Sequence, residues 1–281
     1  MRALLRNGVG WLLLSELAYT GMRLGTRAGA GQLPWAEIAA ARFFGGAIVA
    51  IVSAKLQGKS LRVTDQKNAW LRSAFGTGGA LALFSALGTK AISVGDATTL
   101  YATTPLWVAM LSGPVLHEKV RGTVWAGVAV GFVGVAVLLG ARFQWSGGAG
   151  PVVLVGAVSY ALALLRLRRM GPHESSEAIA LHMSLFAGCA TLLVALPDLK
   201  PVQPRAYLPL AIAALSGGFG QVFVGRAYAR GRAATLSAVA YSGVVMTYLF
   251  EVAVFHSVPE WHQAAGAVLV IAAGVLVSLR G

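Results

Sequence analysis

The sequence is poor in charged residues, which make up 12% of its 281 residues, against about 25% in soluble domains. It has one cysteine, Cys189, so neither an internal disulfide nor a Cys-x-x-Cys site can form. Only ten residues are acidic, and no cluster of His, Cys, Asp or Glu has the spacing of a metal site. We therefore expect no metal and no cofactor. No nucleophile–base arrangement is readable either, which argues against an enzyme.

Long apolar runs are abundant. A hydrocarbon core about 30 Å thick requires about 20 apolar residues per helix. The predicted spans are 9–28, 35–54, 69–89, 94–115, 122–140, 150–169, 177–196, 207–227, 233–256 and 262–280. A soluble helical bundle is excluded because runs such as 124–140 have no polar face at the helical period. The predicted fold is all-α, a polytopic membrane protein with ten transmembrane helices.

The formal charge of +13 would suit a nucleic-acid partner, but the basic residues lie at the ends of the spans rather than on one face. With the N-terminus inside, sixteen of the 23 Lys and Arg residues fall on the cytoplasmic side, Arg72 among them, and five on the outer side. This asymmetry is the positive-inside signal. It predicts a bacterial inner-membrane protein with both termini in the cytoplasm. We expect lipid and a small-molecule substrate as partners, no nucleic acid, and function as a monomer.

The chain carries an internal repeat. The segments KAISVGDATTL at 90–100 and RAYARGRAATL at 226–236 share the pattern basic-Ala-x3-Gly-x-Ala-x-Thr-Leu. They predict two units of five spans, 1–140 and 141–281, within one integral membrane domain. An odd number of spans requires the second unit to enter the bilayer in the opposite orientation. Two inverted repeats are typical of secondary transporters, although a duplication without a transport role is the alternative.

The run 86–140 resembles the drug/metabolite transporter superfamily, in particular its EamA-type ten-helix members. Within this run a Thr-rich helix start leads to Pro105 and then to Glu118 at the helix end. The second copy matches less well, because Tyr241 stands where the proline would be and Ser257 replaces the glutamate.

Among the members of this superfamily the chain is most similar to bacterial aromatic amino acid exporters of the YddG type, although no single motif proves that substrate. The resemblance implies export of metabolites or drugs. It also implies a central cavity enclosed by helices 1, 3, 4, 6, 8 and 9, with helices 5 and 10 packed along the pseudo-two-fold axis.

Ionisable residues inside spans are costly, by about 3 kcal/mol each on insertion scales, and usually face a cavity or a partner. Glu16 and Arg23 lie on one stripe of the first helix. They either bind the ammonium and carboxylate of a substrate or form a structural pair. Glu251 is a second candidate for proton coupling beside Glu16, or a hydrogen-bonded residue near the outer boundary. For Arg42 we expect a structural ion pair.

The predicted substrate cavity is apolar with a few hydrogen-bonding groups, which suits a neutral or zwitterionic amphiphile better than a nucleotide sugar. Its candidate residues are Glu16, Tyr19, Thr77, Phe84, Thr99, Tyr101, Thr103, Trp107, Ser159, Tyr160, Phe219, Phe223, Ser237 and Tyr241. Pro105 is a candidate gating hinge because proline removes a backbone hydrogen bond. Five tryptophans at span ends are expected in the interface belts: Trp11, Trp35, Trp70, Trp145 and Trp261.

The sequence thus predicts an exporter of amino acids, aromatic or hydrophobic ones in particular, that works by alternating access. The alternatives are efflux of drugs or of other small metabolites, and a channel. Whether a proton gradient drives transport is left open.

Overall fold

The computed structural model describes residues 8–29, 33–88, 91–144, 148–199, 201–255 and 260–280, and this part of the chain is almost entirely helical. The helices are α1 (Val9–Gly29), α2 (Trp35–Leu56), α3 (Gln66–Gly88), α4 (Val94–Tyr101), α5 (Thr104–Leu116), α6 (Gly122–Leu138), α7 (Ala149–Met170), α8 (Ser176–Ala195), α9 (Pro204–Arg230), α10 (Ala233–Val239), α11 (Ser242–Phe255) and α12 (Trp261–Arg280). A 3₁₀ turn, Leu196–Asp198, follows α8. Lys90, Trp145 and Ser257 lie outside the described residues.

Six stretches are long and apolar enough to cross a membrane: Trp35–Leu56, Ala149–Met170, Ser176–Asp198, Pro204–Arg230, Ala233–Val254 and Trp261–Leu279. The helices α1 and α3 have 21 and 23 residues, but polar residues such as Glu16, Arg23 and Arg72 interrupt their apolar character. Gly122–Leu138 is apolar and shorter. The chain is a multi-pass membrane protein, and the count of exactly ten spans stays a prediction.

The fourth predicted span is two helices rather than one. Helix α4 ends at Tyr101 and α5 begins at Thr104. Pro105 causes this interruption because it has no N–H to donate to the carbonyl of Tyr101. The Thr104 hydroxyl donates to that carbonyl instead, at 2.7 Å, and the Thr103 hydroxyl donates to the carbonyl of Leu100 at 2.7 Å. Ala102 and Thr103 keep right-handed helical backbone angles, so the interruption at Pro105 is local and the chain continues in the helical sense.

The ninth predicted span is also divided, between α10 and α11, although it contains no proline. Tyr241 lies at this second break, and its hydroxyl donates to the carbonyl of Ala102, at the first break, at 2.9 Å. The predicted span 233–256 is therefore a single candidate span, Ala233–Val254, with a local interruption at Ala240 and Tyr241. The two interruptions thus contact each other inside the bundle.

Helix packing follows a symmetric pattern. Helix α1 packs along α9 and α3 packs along α7, while α2 pairs with α8 and α6 with α12. The first and sixth predicted spans, α1 and α7, occupy equivalent places in the two units, as do the third and eighth, α3 and α9. The α1–α9 pair in one unit order therefore corresponds to the α7–α3 pair in the other. The α2–α8 and α6–α12 pairs each join equivalent spans. The pairing of α6 with α12 agrees with the arrangement that the resemblance implies for the fifth and tenth helices.

Small residues allow α6 and α12 to approach closely. A Cβ atom on Gly134 would lie 2.9 Å from the backbone N of Val270, and one on Gly266 would lie 2.6 Å from the carbonyl O of Gly134. Contacts this short leave no space for a side chain at either position. Such close approach is typical of packed membrane helices, where dispersion contacts stabilise the helix pair.

Candidate functional site

Arg72 of α3 is buried inside the bundle, with 2% of its surface exposed. Its Nη2 donates to Oε1 of Gln221 in α9 at 3.5 Å, and its Nη1 contacts Sδ of Met183 in α8 at 3.3 Å. Its Nε has no hydrogen-bond partner among the described residues. Arg72, which the sequence counts among the basic residues of the cytoplasmic side, is therefore enclosed by protein. Gly76, one turn later, provides space for the side chain, since a Cβ there would lie 2.6 Å from Nη1.

Three tyrosines surround this arginine near the middle of their spans. The Tyr19 hydroxyl of α1 donates to the same Gln221 oxygen at 3.3 Å. The rings of Tyr101 and Tyr160, from α4 and α7, stack with centroids 5.7 Å apart. Both side chains lie against Gly79, seven residues after Arg72 and on the same face of α3, where a Cβ would lie 3.2 Å from the Tyr101 hydroxyl O. We call this set the central cluster: Tyr19, Arg42, Arg72, Tyr101, Tyr160 and Gln221.

Arg42 connects the central cluster to a cavity. Its side chain passes over Gly217 of α9, where a Cβ would lie 3.1 Å from Cγ of Arg42. The guanidinium lies over the Phe43 ring, 4.2 Å from the centroid. It also lines a cavity of about 290 Å³ together with Trp35 and Phe84, whose rings stack at 5.2 Å. Trp35 therefore has a place at a cavity and not simply in an interface belt.

Neither central arginine has a carboxylate partner among the residues that the structure describes. All ten acidic residues of the sequence lie in the described part of the chain, and none is within ion-pairing distance of Arg42 or Arg72. The expectation of a structural ion pair for Arg42 is wrong. The central cluster thus carries two guanidinium groups and no protein carboxylate that neutralises them.

Glu16 and Arg23 form an ion pair beside the central cluster, with 3.5 Å between Oε2 and Nη2. Glu16 is 7% exposed and its carboxylate lies directly against Gly243 of α11, where a side chain would overlap it. Arg23 also donates to Thr247 Oγ1 at 3.0 Å. Of the two interpretations of Glu16 and Arg23, this geometry favours the pair, which joins α1 to α11.

Several predicted cavity residues use their polar groups within the helices. The Ser237 hydroxyl donates to the carbonyl of Ala234 at 3.0 Å, and the Trp107 Nε1 donates to the Thr103 hydroxyl at 3.2 Å. The Ser159 hydroxyl of α7 donates to the carbonyl of Phe75 in α3 at 2.9 Å. These contacts connect backbone and side chains and leave the groups little capacity for a solute.

The remaining predicted residues fall in three places. Phe223 packs on Trp11, with centroids 5.5 Å apart, and Phe219 is 46% exposed beside it. Thr77 and Thr99 are buried, and their hydroxyls have no hydrogen-bond partner among the described residues. Glu251 forms an ion pair with Arg27 of α1, and its side chain is 35% exposed. Glu251 is therefore separate from the central cluster.

Sequence reasoning found Tyr19, Tyr101 and Tyr160 but missed the two arginines and Gln221 as members of the same cluster. Gly76 and Gly217 each lie against an arginine side chain in the structure, and the sequence alone carries no signal for these contacts. Within the described residues, no three His, Cys, Asp or Glu side chains gather in a way that could hold a metal ion.

The chain matches the EamA-like transporter family twice, over residues 6–140 and 150–279. It is 26% identical over 283 residues to the pseudopaline exporter CntI of Pseudomonas aeruginosa, covering 98% of this chain and 97% of that protein. It is 23% identical to an uncharacterized transporter of Helicobacter pylori, of which the match covers 66%, and 24% identical to the riboflavin transporter of Vibrio cholerae, of which it covers 61%. One solved crystal structure shares the fold, with a TM-score of 0.85 over 97% of this chain and 96% of the other at 20% identity. The chain belongs to the EamA-like transporter family.

Proposed function

We propose that this protein exports small amphiphilic metabolites of the amino-acid type, aromatic ones in particular, across the bacterial inner membrane by alternating access. Two contacts near the middle of the spans carry the proposal: the Tyr19 hydroxyl donates to Gln221, and the rings of Tyr101 and Tyr160 stack. These side chains come from α1, α4, α7 and α9, and so from both predicted five-span units. Aromatic walls with a few hydrogen-bonding groups suit an amphiphilic solute.

Two features of the fold support alternating access between the units 1–140 and 141–281. The packing of α1 on α9 and of α3 on α7 gives each unit the same pair of contacts. The breaks after Tyr101 and Val239 interrupt one span in each unit. Broken helices at a repeat interface are typical of secondary transporters, in which one unit moves against the other around a central site.

The relatives support the chemical class of the solute. Those with an assigned solute are named an exporter of pseudopaline and a transporter of riboflavin, so both handle organic solutes. Efflux of cationic drugs fits the site less well, because Arg42 and Arg72 would repel a cation.

Transport in proteoliposomes tests the proposal. We expect saturable counterflow of radiolabelled phenylalanine or tryptophan, since a carrier, unlike a pore, exchanges solute across the membrane. Tyr160→Ala should reduce this flux by up to about tenfold, because it removes one ring of the stacked pair that forms the site wall, and an aromatic pair contributes about 0.5–1.5 kcal/mol beyond the area it buries. Tyr207→Ala is the matched control, since Tyr207 is 60% exposed at the start of α9. Unsaturable flux, or transport of cationic drugs in preference to amino acids, would contradict the proposal.

Glu16 is the residue on which proton coupling would depend. It is buried and paired with Arg23, and Thr20 and Thr247 lie next to the pair. We expect Glu16→Gln to abolish uphill efflux driven by an imposed pH gradient while counterflow continues, because glutamine cannot exchange a proton. The measurement compares both fluxes in the same vesicles. Glu260→Gln, whose side chain is 69% exposed, is the control. Full gradient-driven efflux in Glu16→Gln would exclude this role.

A further inference from the structure

We infer that Arg42 and Arg72 together bind the oxyanion of the solute, so that the carrier selects organic anions, carboxylates above all. This inference rests on the proposed function and specifies the substrate class of the same site. It predicts that a negative charge on the solute is required and that an ammonium group is not.

The first argument is the uncompensated charge of Arg72. Its side chain is 2% exposed, Nε has no partner among the described residues, and its described acceptors are an amide oxygen and a thioether sulfur. A buried guanidinium without a carboxylate is unfavourable in a low-dielectric interior. A guanidinium offers five N–H donors in a planar fork that matches an oxyanion. A bound carboxylate would supply both the missing charge and the missing acceptors.

The second argument is access through Arg42. Its guanidinium lines the cavity of about 290 Å³ that Trp35 and Phe84 also line, and it lies over the Phe43 ring at 4.2 Å from the centroid. Both arginines reach one face of α9, since Arg42 packs against Gly217 and Arg72 donates to Gln221, which lies one turn later. A solute that enters this cavity would therefore meet the Arg42 guanidinium, which lies one turn of α9 away from the contact of Arg72.

The third argument is the charge balance. The Glu16–Arg23 pair is neutral within itself, so the central cluster keeps two positive charges. A zwitterionic solute brings no net charge, whereas a carboxylate without an ammonium brings one negative charge. The order of affinity expected for a matched aromatic series is the deaminated acid first, the amino acid next and the amine last.

Calorimetric binding to the purified full-length protein in nanodiscs tests this order. The probes are 3-phenylpropionate, phenylalanine, phenethylamine and phenyl phosphate, which share one ring. We expect 3-phenylpropionate to bind at least about tenfold more tightly than phenethylamine, since a hydrogen bond to a charged group contributes on that scale. Phenyl phosphate that outcompetes 3-phenylpropionate would assign the site to phosphates and overturn the preference for carboxylates. Equal or tighter binding of phenethylamine would overturn the inference completely.

Variants assign the effect to the two arginines. Arg42→Gln and Arg72→Gln should each weaken 3-phenylpropionate binding about tenfold or more and leave phenethylamine binding unchanged or improved. Arg72→Lys, which keeps the charge but not the fork, should lose less than Arg72→Gln. Arg169→Gln removes the same charge from an exposed residue at the end of α7 and should change nothing. Full affinity for the acid in both Arg42→Gln and Arg72→Gln would contradict the inference.

Two outcomes separate this inference from the proposed function. If phenylalanine shows counterflow but the arginine variants bind 3-phenylpropionate normally, the anion site is wrong and amino acid transport remains. If no amino acid is transported but the arginine variants lose binding of the acid, the anion site stands and the amino acid assignment fails. Should Arg72→Gln not fold, the wild-type series and Arg42→Gln still decide the question.

Discussion

Gly266→Ala will destabilise the fold by about 3 kcal/mol or more, the upper end for inserting a methyl group into a packed core. A Cβ on Gly266 would lie 2.6 Å from the carbonyl O of Gly134 and 2.7 Å from Cα of Leu138 in α6. These are backbone atoms, so no side chain can rotate to relieve the overlap, and α6 and α12 must separate. The measurement heats the protein in detergent and follows the fraction that stays monodisperse in size-exclusion chromatography. We expect the temperature at which half of this fraction is lost, the thermal midpoint, to be lower than in the wild-type protein.

Gly274→Ala is the control on the same helix. A Cβ on Gly274 has no atom within 4 Å, and alanine favours a helix over glycine by roughly 1 kcal/mol. We therefore expect Gly274→Ala to keep or raise the midpoint. A wild-type midpoint in Gly266→Ala would contradict the close contact between α6 and α12.

The membrane fold could be predicted from sequence because the signals are local. Apolar runs of about 20 residues mark the helices, and Pro105 gives a reason for the break in the fourth span. The break in the ninth span carries no such signal. Tyr241 stabilises that region through a hydrogen bond to Ala102, a residue in the other predicted unit. A contact between residues so far apart in the chain cannot be deduced from the composition of either span.

The central cluster was predictable in part, for a related reason. Aromatic and hydroxyl residues near the middle of a span stand out, so Tyr19, Tyr101 and Tyr160 could be singled out. Arg72, three residues inside the predicted span 69–89, does not stand out in this way, because a long arginine side chain can extend to the membrane surface. Arg72 instead extends inward to Gln221 and Met183. The direction of that side chain depends on the space beside Gly76, which only the packed structure reveals.

Glu177→Ala should cost about 3–5 kcal/mol of stability, the range for removing one partner of a buried ion network. Glu177 lies in the first turn of α8 with a side chain that is 0% exposed. Its carboxylate accepts hydrogen bonds from Lys59 Nζ at 3.1 Å and from Arg226 of α9. Removing the carboxylate leaves the Arg226 side chain, 12% exposed, without its counter-charge. The same thermal assay in detergent measures the loss.

The carboxylate charge, and not the volume of the side chain, should account for most of this effect. Glu177→Gln keeps the shape of the side chain but removes its charge, so it should lose most of the same stability. Arg226→Ala should cost less stability in the Glu177→Ala background than in the wild-type protein. Such non-additivity is expected when two residues act in one network. Additive losses in that double-mutant cycle would show that Glu177 and Arg226 contribute independently, and the ion network that joins α8 to α9 would then not stabilise the fold.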